Sequence, residues 1–302
     1  RFKCDWSSDV CSSDLSEFWK IIAGTAVGVD LHALESSKEI RLTFMAPFFF
    51  ATSARSAVGL VRNGNEDSGL ASSRVIAVAD GMGGHAAGEV ASSLAISTLA
   101  ECATIFTKSD IDQESVDDLF LNSIHNVDKV LSDAVADNPA LTGMGTTLTA
   151  LLLRDSAVAL LHIGDSRAYR LRGNELTQLS VDHTVIQELL DQGTITESDI
   201  ATHPQRSVLT QVLMGEGGIE LPLPVFDAKL GDRFLVCSDG LSSVLVDKEI
   251  KALLQGKERE DAVAALVDAT YINGAPDNVT IVIGDVVETP GADGFTTLGA
   301  AQ

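Results

Sequence analysis

Five short acidic segments punctuate the chain: Asn65-Glu66-Asp67, Ala79-Asp80-Gly81-Met82-Gly83-Gly84, Gly164-Asp165-Ser166-Arg167, Ser238-Asp239-Gly240 and Pro276-Asp277-Asn278. Four of them abut strand-like apolar runs. A carboxylate that closes a run such as Val75-Ile76-Ala77-Val78-Ala79 or Phe234-Leu235-Val236-Cys237 stands where a buried strand ends. An ionised Asp there is costly unless a cation or hydrogen bonds compensate it. Hard divalent ions take oxygen ligands, keep several waters and need only a few carboxylates drawn from distant strand ends. One Asp-Gly or Asp-Asn pair alone is an ordinary turn. Five in this order are read as one metal site.

The 302 residues, 45% of them hydrophobic, can bury one substantial core or two modest ones. A formal net charge of -22 leaves no basic stripe to displace phosphate counterions, which argues against a nucleic-acid partner. Cys4, Cys11, Cys102 and Cys237 give neither a metal spacing nor a disulfide framework, so a reducing cytoplasm is the expected location. The apolar stretches 21–34 and 42–51 are interrupted or too short to cross a bilayer, and no membrane segment is expected within the chain. Residues 1–44 have no interpretable period and resemble translated adaptor DNA; they are expected to be a non-native or disordered extension, with Met45 a plausible start. A signal peptide over 45–57 lacks the basic head and a long enough apolar run.

Apolar patterning predicts one or two strands over 48–61, a short buried strand over 75–79 and a small-residue helix over 86–102. A clearer helix carries Val116, Phe120, Ile124, Val127, Leu131 and Val135 at three- and four-residue steps after a Ser115-x-x-Asp118 capping signal. Short strands at 146–153, 157–163, 168–171 and 176–179 read as an antiparallel meander. Residues 181–214 read as an irregular helical excursion, here called the flap. A strand over 233–237, a helix over 261–271 and a strand over 279–287 follow, and 289–302 reads as a flexible tail or linker. Clustered helices and meandering strands point to an α+β layered fold rather than a βαβ alternation.

Gly59-Leu60-Val61-Arg62, Asn65-Glu66-Asp67, Val78-Ala79-Asp80-Gly81-Met82-Gly83-Gly84-His85, Gly143-Met144-Gly145-Thr146-Thr147, His162-Ile163-Gly164-Asp165-Ser166-Arg167, Cys237-Ser238-Asp239-Gly240-Leu241 and Pro276-Asp277-Asn278-Val279-Thr280 together resemble the PPM family of metal-dependent, type 2C serine/threonine phosphatases. The resemblance covers about residues 50–287 and is specific because several motifs agree in order. The Met-Gly-Gly-His wording and His203-Pro204-Gln205-Arg206-Ser207 resemble its bacterial branch. The resemblance implies a four-layer α-β-β-α sandwich, with two central, mainly antiparallel sheets flanked by helix pairs, as a catalytic domain over 45–288. It implies two Mn²⁺ or Mg²⁺ ions bridged by Asp80 and held by the Gly81 carbonyl, Asp239 and Asp277, with Glu66 and Asp67 on metal-bound waters and Asp165 at a third metal position. Its implied partners are phosphorylated proteins, including serine/threonine kinases and their substrates, met by a monomer that is cytoplasmic, or membrane-tethered if the native chain runs further.

Two cations can lower the pKa of a bridging water and neutralise phosphoryl charge. Arg62 is the candidate phosphate clamp, since a guanidinium grips two phosphoryl oxygens at once; a solvated surface Arg is the plain alternative. Arg167 and Arg206 are weaker candidates that could equally pair with core-edge carboxylates. His85 is the candidate proton donor to the leaving oxygen, or else caps the following helix. His162, inside an apolar strand, reads as a core histidine, whereas His183 and His203 fall in the flap, where substrate contact is open to them. Cys237 lacks a phosphate-binding loop and is no nucleophile. Two other readings are a catalytically silent binding module of the same fold and a phosphatase devoted to anti-anti-sigma factors.

Overall fold

The computed structural model of the protein describes residues 47–83, 87–106, 113–291 and 294–302. The expected extension over 1–44 lies outside the described residues, as does His85. In chain order the elements are β1 (Phe49–Ala57), β2 (Asp67–Ser72), β3 (Val75–Met82), α1 (Ala87–Phe106), α2 (Gln113–Asp137), β4 (Gly145–Thr146), β5 (Leu148–Arg154), β6 (Ala157–Ile163), β7 (Arg167–Arg172) and β8 (Glu175–Gln178). The flap holds α3 (Val185–Asp191) and a 3-10 turn, Glu197–Thr202. Then come β9 (Val225–Asp227), β10 (Arg233–Cys237), α4 (Asp239–Ser242), α5 (Asp247–Leu254), α6 (Arg259–Ile272), β11 (Val279–Val287) and β12 (Phe295–Gly299).

One sheet has the order β1-β11-β10-β7-β8; the other runs β12-β2-β3-β5-β6-β9, with β4 paired to β3. Every pairing in both is antiparallel. The inner faces meet through Phe50, Ile76, Val78, Leu151, Leu160, Phe234, Val236 and Val282. Gly284, in the middle of β11, makes room there: a Cβ would lie 2.8 Å from the Phe50 ring, and that ring meets Phe234 edge-on at 5.8 Å. The helix pair α1 and α2 covers the outer face of the second sheet, and α5 and α6 cover that of the first. This is the four-layer α-β-β-α sandwich expected.

Helix α1 buries Ala87, Gly88, Ala91, Ser92 and Ala95, and these small residues let its backbone approach the sheet closely. By length and composition α1 could also cross a bilayer, but its buried side packs into the core shared with α2 and the sheet.

Four expectations need correction. The segment 289–302 is not a tail throughout: β12 pairs with β2 from Phe295↔Ser72 to Gly299↔Ser68, because β2 would otherwise be an unpaired edge. The strand expected over 48–61 ends at Ala57, and Val58 to Arg62 form a turn. Helix α2 begins before Ser115, which lies inside the first turn rather than at the cap. The flap contains one short helix; Thr184 caps it by accepting from the Gln187 N–H, and the rest is tied down by backbone bridges Thr184↔Leu209 and Thr146↔Leu213.

Candidate metal centre

Strand register gathers the acidic segments within each sheet, and the packing of the two inner faces joins the two sets. β2 starts at Asp67 and β3 carries Asp80 opposite it. In the other sheet β10 ends at Cys237, which faces Arg167 at the start of β7 and Ile281 near the start of β11. Asp239 lies just past the end of β10, while Asp165 and Asp277 lie just before β7 and β11. Antiparallel pairing and the packing of the sheets thus deliver all five carboxylates to one end of the sandwich.

Side chains lock the two sheets together at that end. Ser238 Oγ donates to Asp67 Oδ2 at 2.7 Å and accepts from the Thr280 N–H at 2.9 Å. Asn278 Oδ1 accepts from the Glu66 N–H and its Nδ2 donates to the Gly64 carbonyl, both at 2.9 Å. Thr147 Oγ1 accepts from the Asp80 N–H at 3.0 Å. Removing the Ser238 hydroxyl by Ser238→Ala strips a buried carboxylate and a buried N–H of partners. The metal-free variant is expected to lose about 1–3 kcal/mol in urea unfolding; a loss below about 0.5 kcal/mol would remove Ser238 from this role.

A glycine after a metal-site Asp could serve to let the backbone turn sharply. Gly81 instead lies within β3, and its need for glycine comes from packing: a Cβ would fall 2.0 Å from the Gly88 carbonyl and 2.7 Å from that of Glu66. The turn falls at Gly83, with φ at 144°.

The electrostatics of this end are unfavourable for bare carboxylates. Burial, then repulsion from Asp67, Asp239, Asp165 and Asp277, holds Asp80 well above the usual carboxylate range. Burial pushes Asp67 up to about 7, with Ser238 and Thr280 opposing and Asp239 and Asp277 adding to it. Asp165 also rises to about 7, from burial and then Asp239 and Asp182. Asp239 is raised by burial and Asp277, and Glu66 by burial against the pull of Arg62.

Asp239 Oδ1 is buried and has no hydrogen-bond partner. An orphaned carboxylate oxygen among four other acidic groups is what a hard divalent cation would satisfy. The donor set, all oxygen, fits Mn²⁺ or Mg²⁺. Among the described residues no three acidic, histidine or cysteine side chains close by themselves into a chelating cage, which accords with ions that retain water and take one or two carboxylates each.

Arg62, half-exposed, pairs with Asp277 at 2.5 Å; burial lowers its pKa, but that bond and the charges of Asp277, Glu66 and Asp80 together outweigh burial and raise it, so it stays charged. Arg167 is held elsewhere: it forks onto both oxygens of Asp182 at 2.7–3.0 Å, at the start of the flap. Arg206 is exposed within the flap. His162 is the core histidine expected. Its Nε2 donates to the Val181 carbonyl at 2.9 Å and Nδ1 faces Thr149 Oγ1 at 2.9 Å, while burial and His183 push it down to about 4. His183 Nδ1 accepts from the Gly164 N–H at 3.1 Å, and His203 Nδ1 accepts from the Gln205 N–H. Burial pushes the Cys237 thiol up to about 12, consistent with no nucleophilic role.

Sequence reasoning gave no role to Ser238, Asn278 or Thr147, although each lies within a quoted motif. Their signal is position: each is a small polar residue next to, or directly opposite, a strand-end carboxylate.

A family model described as Protein phosphatase 2C matches residues 65–271. The serine/threonine protein phosphatase PstP of Mycobacterium tuberculosis is 44% identical over 238 residues, 78% of this chain and 45% of that protein. The chain therefore spans about half the length of these mycobacterial relatives. The serine/threonine phosphatase stp of Listeria welshimeri is 35% identical over 232 residues, covering 74% of this chain and 91% of the relative. The crystal structure of Mycobacterium tuberculosis PstP superposes with a TM-score of 0.74 at 43% identity, covering 78% of this chain and 98% of that one. A PstP catalytic domain in complex with two manganese ions gives a TM-score of 0.72 at 41% identity, covering 80% and 99%. With its two-sheet sandwich, its convergent strand-end carboxylates and these matches taken together, the chain belongs to the protein phosphatase 2C family.

Proposed function

We propose that this domain hydrolyses phosphoserine and phosphothreonine esters in proteins, serine/threonine kinases and their substrates among them, in a Mn²⁺- or Mg²⁺-dependent reaction. The observation that carries this reading is the set of five carboxylates from both sheets, with the unpartnered Asp239 Oδ1 among them and Arg62 at their edge. The residues that would hold the ions are Asp80, the Gly81 carbonyl, Asp239 and Asp277, with Glu66 and Asp67 on bound water and Asp165 at a third position. Such ions, when bound, supply an activated water and neutralise phosphoryl charge.

The chain's own residues do the rest. Arg62 remains protonated and offers its fork to the phosphoryl oxygens, while Asp277, on the segment that leads into β11, sets its orientation. Ser238 and Thr147 fix Asp67 and the Asp80 backbone, so the acidic groups need no rearrangement when charge develops. His85 is the proposed proton donor to the departing serine or threonine oxygen. The phosphatase names of the relatives support the reaction class; those names give no support to a silent binding module.

Hydrolysis of p-nitrophenyl phosphate tests the reading directly. Turnover is expected with millimolar Mn²⁺, to vanish with EDTA and to return when Mn²⁺ is restored in excess. Turnover that is indifferent to EDTA would overturn it, as would none at all in folded protein.

A further inference from the structure

Among the described residues twelve large hydrophobic side chains are exposed, and four of them, Val58, Leu60, Val61 and Ile272, sit on two segments, 58–61 beside Arg62 and the end of α6, that are bonded to each other. Leu60, Val61 and Ile272 are 62%, 73% and 84% exposed, and none of the four belongs to the three apolar clusters that hold the fold together. Their exposure is therefore not a by-product of core packing.

The backbone beneath them is fixed. The Leu60 N–H donates to the Ala275 carbonyl at 2.8 Å, and the Arg62 N–H closes the turn onto the Gly59 carbonyl at 3.2 Å. The Tyr271 hydroxyl donates to the Val58 carbonyl. Gly59 has no room for a side chain, since a Cβ would lie 2.3 Å from the Asp277 carbonyl. One rigid turn thus carries the phosphate-gripping guanidinium together with exposed branched side chains. Singly exposed apolar residues are ordinary. A fixed group of them adjoining a charged anchor is a preorganised contact surface, which loses little entropy when a ligand covers it.

We propose that Leu60, Val61 and Ile272 form a specificity rim that receives apolar side chains flanking the phosphorylated residue. The favoured substrate class is then a phosphorylated segment with branched apolar neighbours, presented in extended form. This deepens the phosphatase reading and rests on it. An acidic flank is disfavoured on the same rim, because it would meet Glu66 and a chain of net charge -22.

The test uses p-nitrophenyl phosphate and two phosphothreonine peptides of equal charge, one with Leu and Val beside the phosphoresidue and one with Ser and Gly. The unaltered protein is expected to prefer the apolar peptide by about tenfold in kcat/KM, the scale of one or two apolar contacts. Leu60→Ser with Ile272→Ser should cut that preference to about twofold or less. Turnover of p-nitrophenyl phosphate, which has no flanking residues to reach the rim, should stay within about twofold. Val61→Thr keeps the side-chain shape but exchanges one methyl for a hydroxyl, so a partial loss of preference at unchanged melting temperature separates the rim from a folding defect. Equal rates on both peptides in the unaltered protein would overturn the inference. So would a preference that survives all three substitutions, or a change in oligomeric state with the preference intact, which would make the patch a self-association surface. Those results leave hydrolysis of p-nitrophenyl phosphate standing, so they are distinct from failure of the phosphatase reading itself.

Discussion

Asp239→Asn is expected to yield a metal-free protein that is more stable than the original and a phosphatase that is inert. The two effects share one cause. In the folded chain Asp239 is a buried carboxylate with one oxygen unpartnered, facing Asp277 and raised in pKa by burial and by that neighbour. Asn removes the charge, keeps the shape and brings donors that the surrounding carboxylates can accept from. Relief of an unsatisfied buried group amounts to about 1–3 kcal/mol, visible as a higher urea midpoint after EDTA treatment. The same substitution deletes a charged ligand from the site, and losing several kcal/mol of charge stabilisation lowers turnover by about 10³-fold or more. A variant that is less stable without metal, or that keeps more than about a tenth of the activity, would show that Asp239 is neither strained nor needed. Such opposition of stability and activity is the mark of a site whose cost the rest of the fold carries.

The pH dependence of the metal-free protein should have an unusual sign near neutrality. Asp67 and Asp165 titrate at about 7 in the folded chain against an ordinary value of 3.8, and burial with the neighbouring carboxylates holds Asp80 well above that ordinary value too. The folded state therefore holds more protons than the unfolded state above pH 3.8. The stability these groups confer is complete below that value and is lost as pH rises through about 7. His162 works the other way: its folded value of about 4, against 6.5, makes stability fall as pH drops from 6.5 through 4. Above pH 6.5 the histidine's contribution fades as the unfolded imidazole also loses its proton, so the more numerous carboxylates decide the slope. Each excess proton costs about 1.4 kcal/mol per pH unit. The melting temperature of EDTA-treated protein is expected to fall by about 3–8 °C between pH 6.5 and 7.5. With millimolar Mn²⁺ present the fall should disappear, because bound cations favour the ionised carboxylates. A metal-free melting temperature that is flat or rising across this window would contradict the crowding described here.

Much of the architecture was legible because its signals are local. The three- and four-residue spacing from Val116 to Val135 announced α2, and the alternation between 146 and 179 announced the meander. Strand β2 was not legible: Asp67-Ser68-Gly69-Leu70-Ala71-Ser72 has no β-branched residue, and it is a strand only because β3 and β12 pair with it on either side. The same non-local cause hid β12 in a Gly- and Thr-rich segment. In the flap, local helical tendency from Val181 onward was overridden by backbone bridges to distant residues. Within the site, acidic residues at strand ends could be read from sequence, since burying an unpaired charge demands compensation. What could not be read was the bracing: Ser238 reaches Asp67 across 171 positions and Asn278 reaches Glu66 across 212. Nor does spacing explain Gly81, whose constraint is the carbonyl of Gly88 on a different element.

Isothermal titration of Mn²⁺ into EDTA-stripped protein at pH 7.5, beside Asp80→Asn, bears most directly on the convergence of these carboxylates. At least two ions per chain are expected to bind the original protein, with proton release from the raised carboxyls, and binding by Asp80→Asn should be at least about tenfold weaker. Identical isotherms for the two proteins, or no heat at millimolar Mn²⁺ in folded material, would contradict it.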